Sequence, residues 1–195
     1  MAGTERAGLA ERRRSLLAGA SGRVLEIGGG TGANLPLYPA AVTELTVLEP
    51  EAPMASRLRR RVHDLGRPAT VVQAPAEEIP LPDASVDLAV STLVLCTVSD
   101  QGRALAELRR VLVPGGRLLF IEHVRAADPR LARWQDRLAP LWLRFGHGCR
   151  CNRSTLAGIR EAGFDVETVE EGVVPKAPPI VRPLIAGSAR APSGG

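Results

Sequence analysis

Short apolar segments alternate with longer amphipathic segments along the whole chain. Strands that alternate with helices in this way are typical of βαβ units, in which a mostly parallel sheet is covered by helices on both faces. The segments predicted as strands are 23–27, 45–48, 70–73, 86–90, 117–122, 165–169 and 182–186. The segments predicted as helices are 5–18, 51–64, 101–111, 131–145 and 153–162.

The size and composition of the chain favour one domain. The chain has 195 residues, of which 45% are hydrophobic, and this is enough for one substantial core. We therefore predict a single domain over 1–189, followed by a disordered tail over 190–195 that is rich in Ala, Pro, Ser and Gly. No apolar run approaches the roughly 20 residues that cross a bilayer, and no signal peptide is recognisable, so we expect a cytoplasmic protein.

Charge and cysteine content exclude several other classes of protein. The net charge of +4 comes from arginines scattered along the chain, since Lys176 is the only lysine, and it does not indicate nucleic-acid binding. Cys96, Cys149 and Cys151 form an odd set that we expect to be reduced. His147 lies close to the last two, but a closed zinc site needs four ligands, so we predict no metal site.

A glycine-rich turn follows directly after the first predicted strand. The sequence there runs from Glu26 through Ile27-Gly28-Gly29-Gly30-Thr31-Gly32. Glycines let the backbone turn tightly and approach a ligand closely. The spacing has neither the ending of the dinucleotide fingerprint nor the Gly-Lys-Ser/Thr ending of a P-loop, which disfavours nucleotide phosphates. Glu49, at the end of the second predicted strand and before Pro50, is placed to accept hydrogen bonds from both ribose hydroxyls of an adenosine.

Two further motifs decide the interpretation of this loop. One is the segment 76–83 followed by the strand 86–90, and the other is the segment 111–117, which contains Leu-Val-Pro-Gly-Gly. With the glycine turn, they make the sequence resemble the class I S-adenosylmethionine (SAM)-dependent methyltransferases over nearly its whole length. The resemblance implies an α/β fold, a Rossmann-like three-layer sandwich whose seven-stranded, mostly parallel sheet has the order 3-2-1-4-5-7-6 and an antiparallel last strand. It also implies SAM as cofactor and S-adenosylhomocysteine as product.

The same resemblance implies a set of cofactor-binding residues. Glu26 would orient the loop or meet the amino group of SAM through water, and Ala76 would offer its N–H to the adenine. Many relatives carry an aspartate where this chain has Pro75, so Glu77 is the carboxylate expected to replace it at the adenine amino group. The full set is Glu26, Gly28, Gly29, Gly30, Gly32, Asn34, Glu49, Pro50, Ala76, Glu77, Ser91 and Leu93.

A narrower resemblance concerns the acceptor of the methyl group. The segments 91–98, 120–124 and 148–153 resemble thiol S-methyltransferases and their bacterial relatives, which are grouped with quinone and phospholipid methyltransferases. This implies a small apolar acceptor, with a thiol preferred. The open alternatives are O-, C- or N-methylation of a quinone, natural product or phospholipid, and a non-catalytic SAM-binding partner subunit. The segment after the fourth strand lacks the Asn/Asp-Pro-Pro-Tyr/Phe motif of base methylation, so we expect a small-molecule acceptor and no nucleic acid.

Candidate catalytic and acceptor-binding residues lie after the fifth predicted strand. His123 and Glu122 are the predicted catalytic pair, although His123 could instead cap the strand end. An aromatic stripe at helical spacing predicts a pocket roofed by Trp134, Trp142 and Phe145. We expect Pro140 to bend or divide this helix. Four arginines flank the stripe at 130, 133, 137 and 144, which leaves a peripheral membrane contact open without stable insertion.

Overall fold

A computed structural model describes residues 8–146, 148–174 and 176–193. Its elements follow the predicted alternation closely. The α-helices in the described part are α1 (Ala10–Leu17), α2 (Ala52–Asp64), α3 (Gln101–Val111), α4 (Pro129–Phe145) and α5 (Thr155–Glu161), and two short 3-10 helices span Leu35–Leu37 and Pro179–Val181. The strands there are β1 (Gly22–Ile27), β2 (Val42–Leu48), β3 (Thr70–Val72), β4 (Val86–Thr92), β5 (Leu112–His123), β6 (Asp165–Val173) and β7 (Pro183–Arg190).

The strands form one sheet in the order β3-β2-β1-β4-β5-β7-β6. The strands β1 to β5 pair in parallel, whereas β7 is antiparallel to both of its neighbours, β5 and β6. The predicted strand order and the antiparallel last strand are therefore confirmed. β1 lies between β2 and β4, so the chain winds outward in both directions from this point of the sheet.

Helices cover both faces of the sheet, as the α/β prediction requires. Leu105 and Leu108 of α3 pack with Phe120 in a core cluster on one face. Leu17 of α1 and Leu58 of α2 belong to a second cluster on the other face. These side chains are fully buried, so the hydrophobic effect fixes the three layers.

Two boundaries differ from the predictions for identifiable physical reasons. β5 begins at Leu112, five residues before the predicted start, and it includes Pro114 and two glycines. Strand β7 continues to Arg190, and the N–H of Ala191, which is buried, donates to the carbonyl of Gly116 over 2.7 Å. The predicted disorder is therefore wrong for Arg190 and Ala191, because β5 supplies backbone partners for them. Residues 194 and 195 lie outside the described residues.

Candidate functional site

The carboxyl ends of four parallel strands meet at one edge of the sheet. β1 leads into Gly28, β2 into Glu49, β4 into Leu93, and β5 ends at His123. In open α/β sheets, ligands bind at this edge where the strand order reverses. The structure therefore places the predicted cofactor-binding residues Gly28, Glu49 and Leu93 on the same side of the molecule as the predicted catalytic residue His123.

The glycine loop after β1 packs against β2 at Gly29 and is open at Gly30. A Cβ atom on Gly29 would lie 2.2 Å from Cγ1 of Val47, so this position has no room for a side chain. Gly30 has a φ of +54°, and a Cβ atom there would meet nothing closer than 4.0 Å. The N–H of Gly29 donates to the carbonyl of Leu48 over 2.8 Å, which fixes the loop to β2. Gly30 thus lines an open cradle in which a ligand can contact the backbone directly.

Glu49 is fixed beside this cradle. Its Oε2 accepts a 2.8 Å hydrogen bond from the N–H of Gly30, and its Oε1 accepts a 3.1 Å hydrogen bond from the N–H of Glu51. A carboxylate has about four acceptor positions, so these two bonds leave capacity for two further donors. A ribose diol offers two hydroxyl donors, and the carboxylate therefore fits an adenosine cofactor. Pro50, the next residue, is exposed.

Glu26 lies beneath the loop in a buried polar network. Its Oε1 accepts from Nδ2 of Asn34 over 2.9 Å, and its Oε2 accepts from the hydroxyl of Tyr38 over 2.7 Å. Arg13 of α1 donates to Oδ1 of Asn34 and to Oγ1 of Thr92, both over 2.8 Å. Burial raises the pKa of Glu26 to about 7, against the effect of its hydrogen bonds and of Arg13. The network ties the segment after the glycine loop to α1 and β4.

The sequence alone did not reveal Arg13 and Tyr38 as members of this network. One signal pointed to Arg13, which lies four residues from both Leu9 and Leu17 and so shares their buried helix face. Tyr38 carries no comparable signal, because its partner Glu26 lies in another element, twelve residues away.

The predicted adenine residues are only partly available to a ligand. Ala76 is buried at the edge of the core. Oε1 of Glu77 accepts from the N–H groups of Ser99 and Asp100 over 2.8 and 3.2 Å, just before α3 begins. Oε1 of Glu77 therefore holds a turn, whereas Oε2 has capacity for a further donor, and the role of Glu77 at the adenine amino group stays a prediction.

Glu122 is fully buried and surrounded by hydrogen-bond donors. The hydroxyl of Ser91 and the N–H groups of Val94 and Leu95 donate to its Oε1 over 2.6, 3.0 and 3.1 Å. The N–H of Cys96 donates to its Oε2 over 3.1 Å. Burial raises its pKa, and the four hydrogen bonds oppose that shift. A carboxylate with no exposed surface cannot contact the molecule that accepts the methyl group, so the prediction that Glu122 is catalytic is not supported. Glu122 instead organises the segment after β4, and its hydrogen bond with Ser91 contributes to this.

Leu93 begins that segment in a strained conformation. Its φ is +62°, a left-handed value that is uncommon for a residue with a side chain. The N–H of Leu93 donates to the carbonyl of Ile121 over 2.7 Å, and the Glu122 bonds hold the residues that follow. Strain of this kind persists only where surrounding contacts impose it, and it is common at functional sites.

His123 ends β5 with an uncharged ring at neutral pH. Burial lowers its pKa, and the carbonyl of Pro183 only partly opposes this shift. Within the described residues its Nδ1 is buried and has no hydrogen-bond partner. A neutral imidazole can accept a proton, whereas an imidazolium cannot.

The three aromatic residues of the predicted roof do not lie together. Trp142 packs on the cluster that contains Cys96, Ile121 and Leu184, near the end of β5. Trp134 and Phe145 are 56% and 72% exposed on the outer face of α4, so the predicted roof is wrong for these two residues. Pro140 does not divide α4, which runs without a break from Pro129 to Phe145.

The three cysteines are free and buried. Cys96 and Cys149 come within 3.9 Å of each other, sulfur to sulfur, although 53 residues separate them in sequence. In the described part of the chain, His, Cys, Asp and Glu side chains form no group of three that could hold a metal ion, and His147 lies outside it. Nor does any helix described here combine the length and apolar character needed to cross a membrane.

The strand order, the open glycine loop and the buried Glu49 carboxylate together define the class of SAM-dependent methyltransferases. The profile of the methyltransferase-domain family matches residues 25–120. The human thiol S-methyltransferase TMT1B is 38% identical over 179 residues, which cover 89% of this chain and 73% of that protein. The chain therefore belongs to the family of SAM-dependent methyltransferases and uses SAM as its cofactor.

Two further proteins show the breadth of the similarity. The phosphatidylethanolamine N-methyltransferase of Cereibacter sphaeroides is 32% identical over 60% of this chain and 62% of its own length. The crystal structure of a SAM-dependent methyltransferase from Thermotoga maritima, described as a possible histamine N-methyltransferase, superposes with a TM-score of 0.71 at 24% identity. It covers 96% of this chain and 91% of its own, which shows a shared fold.

Proposed function

We propose that this protein transfers the methyl group of SAM to the sulfur of a small apolar thiol. The observation that carries the proposal is the 38% identity to a thiol S-methyltransferase over 89% of the chain. The similarity to the phosphatidylethanolamine N-methyltransferase is lower and covers 60% of the chain. Bound SAM supplies an activated methyl group on a sulfonium, so the protein has mainly to align donor and acceptor.

The glycine loop and the end of β2 would hold the cofactor. In this proposal Gly28, Gly30 and Gly32 line its methionine and ribose side, and Glu49 accepts from the two ribose hydroxyls. Glu26 and Asn34 act from beneath, where their mutual hydrogen bond keeps the loop in place. Gly29 contributes the close packing on β2. The rest of the cofactor site would be bordered by Ala76, Leu93 and the exposed Pro50.

His123 would accept the proton that the acceptor loses. A free thiol has a pKa of about 8.5, so only a modest assistance is needed to form thiolate near neutral pH. The ring of His123 is neutral there because burial lowers its pKa. Leu93 and Trp142 pack on the same apolar cluster near the end of β5, and they would give the acceptor site its preference for an apolar molecule.

Matched acceptors test the proposal. We would incubate purified protein and SAM with a benzylic thiol, the corresponding alcohol, the corresponding amine, a phenol and a quinol, and measure S-adenosylhomocysteine by mass spectrometry. Turnover with the thiol alone supports the proposal. Turnover with the amine, phenol or quinol instead would show that the methyl acceptor is not a thiol. SAM binding without turnover on any compound favours the non-catalytic partner subunit.

The proposal extends to the setting of the reaction. A small molecule is the expected partner, since the segment after β4 lacks the Asn/Asp-Pro-Pro-Tyr/Phe motif of base methylation. Three free buried thiols favour a reducing compartment such as the cytoplasm. Fractionation of the producing cells, followed by immunodetection, tests this location.

A further inference from the structure

The outer face of α4 carries a row of exposed apolar side chains. This row, the α4 ridge, consists of the exposed Trp134, Leu141 and Phe145 with the half-buried Leu138 between them, spaced three or four residues apart on one side of the helix. Trp134, Leu141 and Phe145 are 56%, 57% and 72% exposed. We propose that the α4 ridge and its neighbouring arginines dock this protein on the surface of an anionic lipid membrane.

The orientation of α4 is fixed by its inner face, so the ridge cannot rotate into the core. Gln135 is fully buried, and the two hydrogens of its Nε2 are shared among the carbonyls of Val124, Cys151 and Ile180 at 3.1, 2.9 and 2.9 Å. Its Oε1 accepts from the N–H of Ala126 over 2.7 Å. Both ends of this amide are therefore satisfied by the protein. The ridge, about a quarter-turn from Gln135, and the arginines on the opposite side of the helix stay outside.

A line of positive charge runs beside the ridge. At about 100° per residue, the arginines at 130, 133, 137 and 144 fall on one strip of the helix surface next to the ridge. Within the described residues none of the four forms an ion pair. The single acidic residue of α4, Asp136, is already paired with Arg125 over 2.5 and 2.8 Å. The charge of this strip is thus uncompensated.

An anionic membrane matches this combination better than a second copy of the chain does. An interfacial helix places Trp, Phe and Leu at the acyl boundary and its basic residues among the headgroups. A symmetric contact between two α4 ridges would instead bring two uncompensated rows of four arginines together. Lipid phosphates neutralise the arginines while the acyl region takes up the ridge, so one partner satisfies both features.

Vesicle flotation with the full chain tests the proposal. The protein should float with phosphatidylcholine vesicles that contain phosphatidylglycerol and remain in the soluble fraction with pure phosphatidylcholine vesicles. Changing all four strip arginines to Gln should reduce the affinity about tenfold or more, because each contributes to attraction by the anionic surface. The double variant Trp134→Ala, Phe145→Ala should lower it by a similar factor at unchanged charge.

A matched variant separates this surface from net charge alone. Arg57, Arg59, Arg60 and Arg160 are also exposed, and changing all four to Gln removes the same total charge from other helices. This control should float like the original protein. Tryptophan emission gives a second readout, since it should shift to the blue on anionic vesicles and lose that shift in Trp134→Phe. Equal loss in both arginine variants, binding independent of Trp134 and Phe145, or a ridge-dependent dimer without vesicle binding would overturn the proposal.

Discussion

The hydroxyl of Ser91, at the end of β4, donates a 2.6 Å hydrogen bond to Oε1 of Glu122, near the end of the adjacent strand β5. Both residues are fully buried. The pair therefore joins the two strand ends beneath the segment that begins at Leu93. It explains how a carboxylate beside the candidate catalytic histidine serves the architecture of the site rather than its chemistry.

Removing the Glu122 carboxylate should destabilise the fold. In Glu122→Ala, the N–H groups of Val94, Leu95 and Cys96 lose their acceptor, and we expect the free energy of unfolding to fall by about 3 to 5 kcal/mol. Ser91→Ala, which removes one of the four donors, should cost about 1 kcal/mol. Urea unfolding followed by circular dichroism measures both values. Glu171→Ala, at an exposed position of β6, is the control; a Glu122→Ala loss no larger than this control would contradict the assignment.

Glu49→Gln should weaken SAM binding by about 1.5 to 3 kcal/mol, the range for hydrogen bonds to a charged group. The amide retains an acceptor for the N–H of Gly30, so the loop should keep its place while the ribose loses a carboxylate partner. Titration calorimetry measures the affinity. Glu51→Gln, two residues away and exposed, should bind SAM normally. Equal affinities in the two variants would remove the ribose assignment.

Two adjacent glycines should respond differently to alanine. At Gly29 the added methyl group would meet Val47 at 2.2 Å, and we expect a loss of stability of about 1 to 3 kcal/mol from overpacking. At Gly30 the methyl group enters the open cradle, so stability should fall by only about 1 kcal/mol, for the positive φ, while SAM affinity falls strongly. Thermal unfolding and calorimetry on both variants separate these effects. Normal SAM binding by Gly30→Ala would place the cofactor elsewhere.

The stability of the protein should fall as pH rises through about 7, because of Glu26. Burial raises the pKa of Glu26 from an ordinary 4.5 to about 7, so the folded state holds a proton that the unfolded state has released. The contribution of Glu26 to the free energy of unfolding is complete below pH 4.5 and is lost as the pH rises through 7. The full change amounts to about 3 kcal/mol. Glu26→Gln cannot titrate and should remove this part of the pH dependence. Denaturant unfolding at pH 5.5 and pH 8 should show about 2 kcal/mol of this change, and parallel changes in both proteins would refute the prediction.

His123→Ala should slow methyl transfer at low pH more than at high pH. If the ring accepts the thiol proton, the rate should fall by about tenfold or more near pH 7 and recover near pH 9, where the thiol ionises unaided. SAM affinity should be unchanged. His63→Ala, an exposed histidine of α2, should match the original enzyme at every pH. A rate that is insensitive to His123→Ala across this range would leave His123 as a residue that only ends β5.

Sequence patterns predicted most of the helices and strands because their determinants are local, whereas the order of the strands was implied by the family resemblance. Helix α3 has the predicted bounds of Gln101 and Val111, since its apolar face and its Asp100 cap lie within the element itself. The start of β5 was missed because Pro114 and the glycines after it are typical of a turn. Only the pairing of Gly115 and Gly116 with the segment after β7 shows how they are used.

The candidate site was predictable only where its residues follow strand ends. Gly30 and Glu49 could be placed from their spacing after β1 and β2. Glu77 and Glu122 could not be assigned, because their partners come from segments more than twenty residues away. The exposure of Phe145 was equally hidden, since helical spacing does not say which side of α4 faces the core.

Transfer of a labelled methyl group tests the central claim most directly. The purified protein would be incubated with SAM carrying a trideuterated methyl group and a small apolar alkanethiol, and the products would be identified by mass spectrometry. We predict a trideuterated methyl thioether and an equal amount of S-adenosylhomocysteine, both strongly reduced in Glu49→Gln. A protein that binds SAM but leaves the label on it in the presence of the thiol, or moves it only to oxygen, nitrogen or carbon acceptors, would contradict the account.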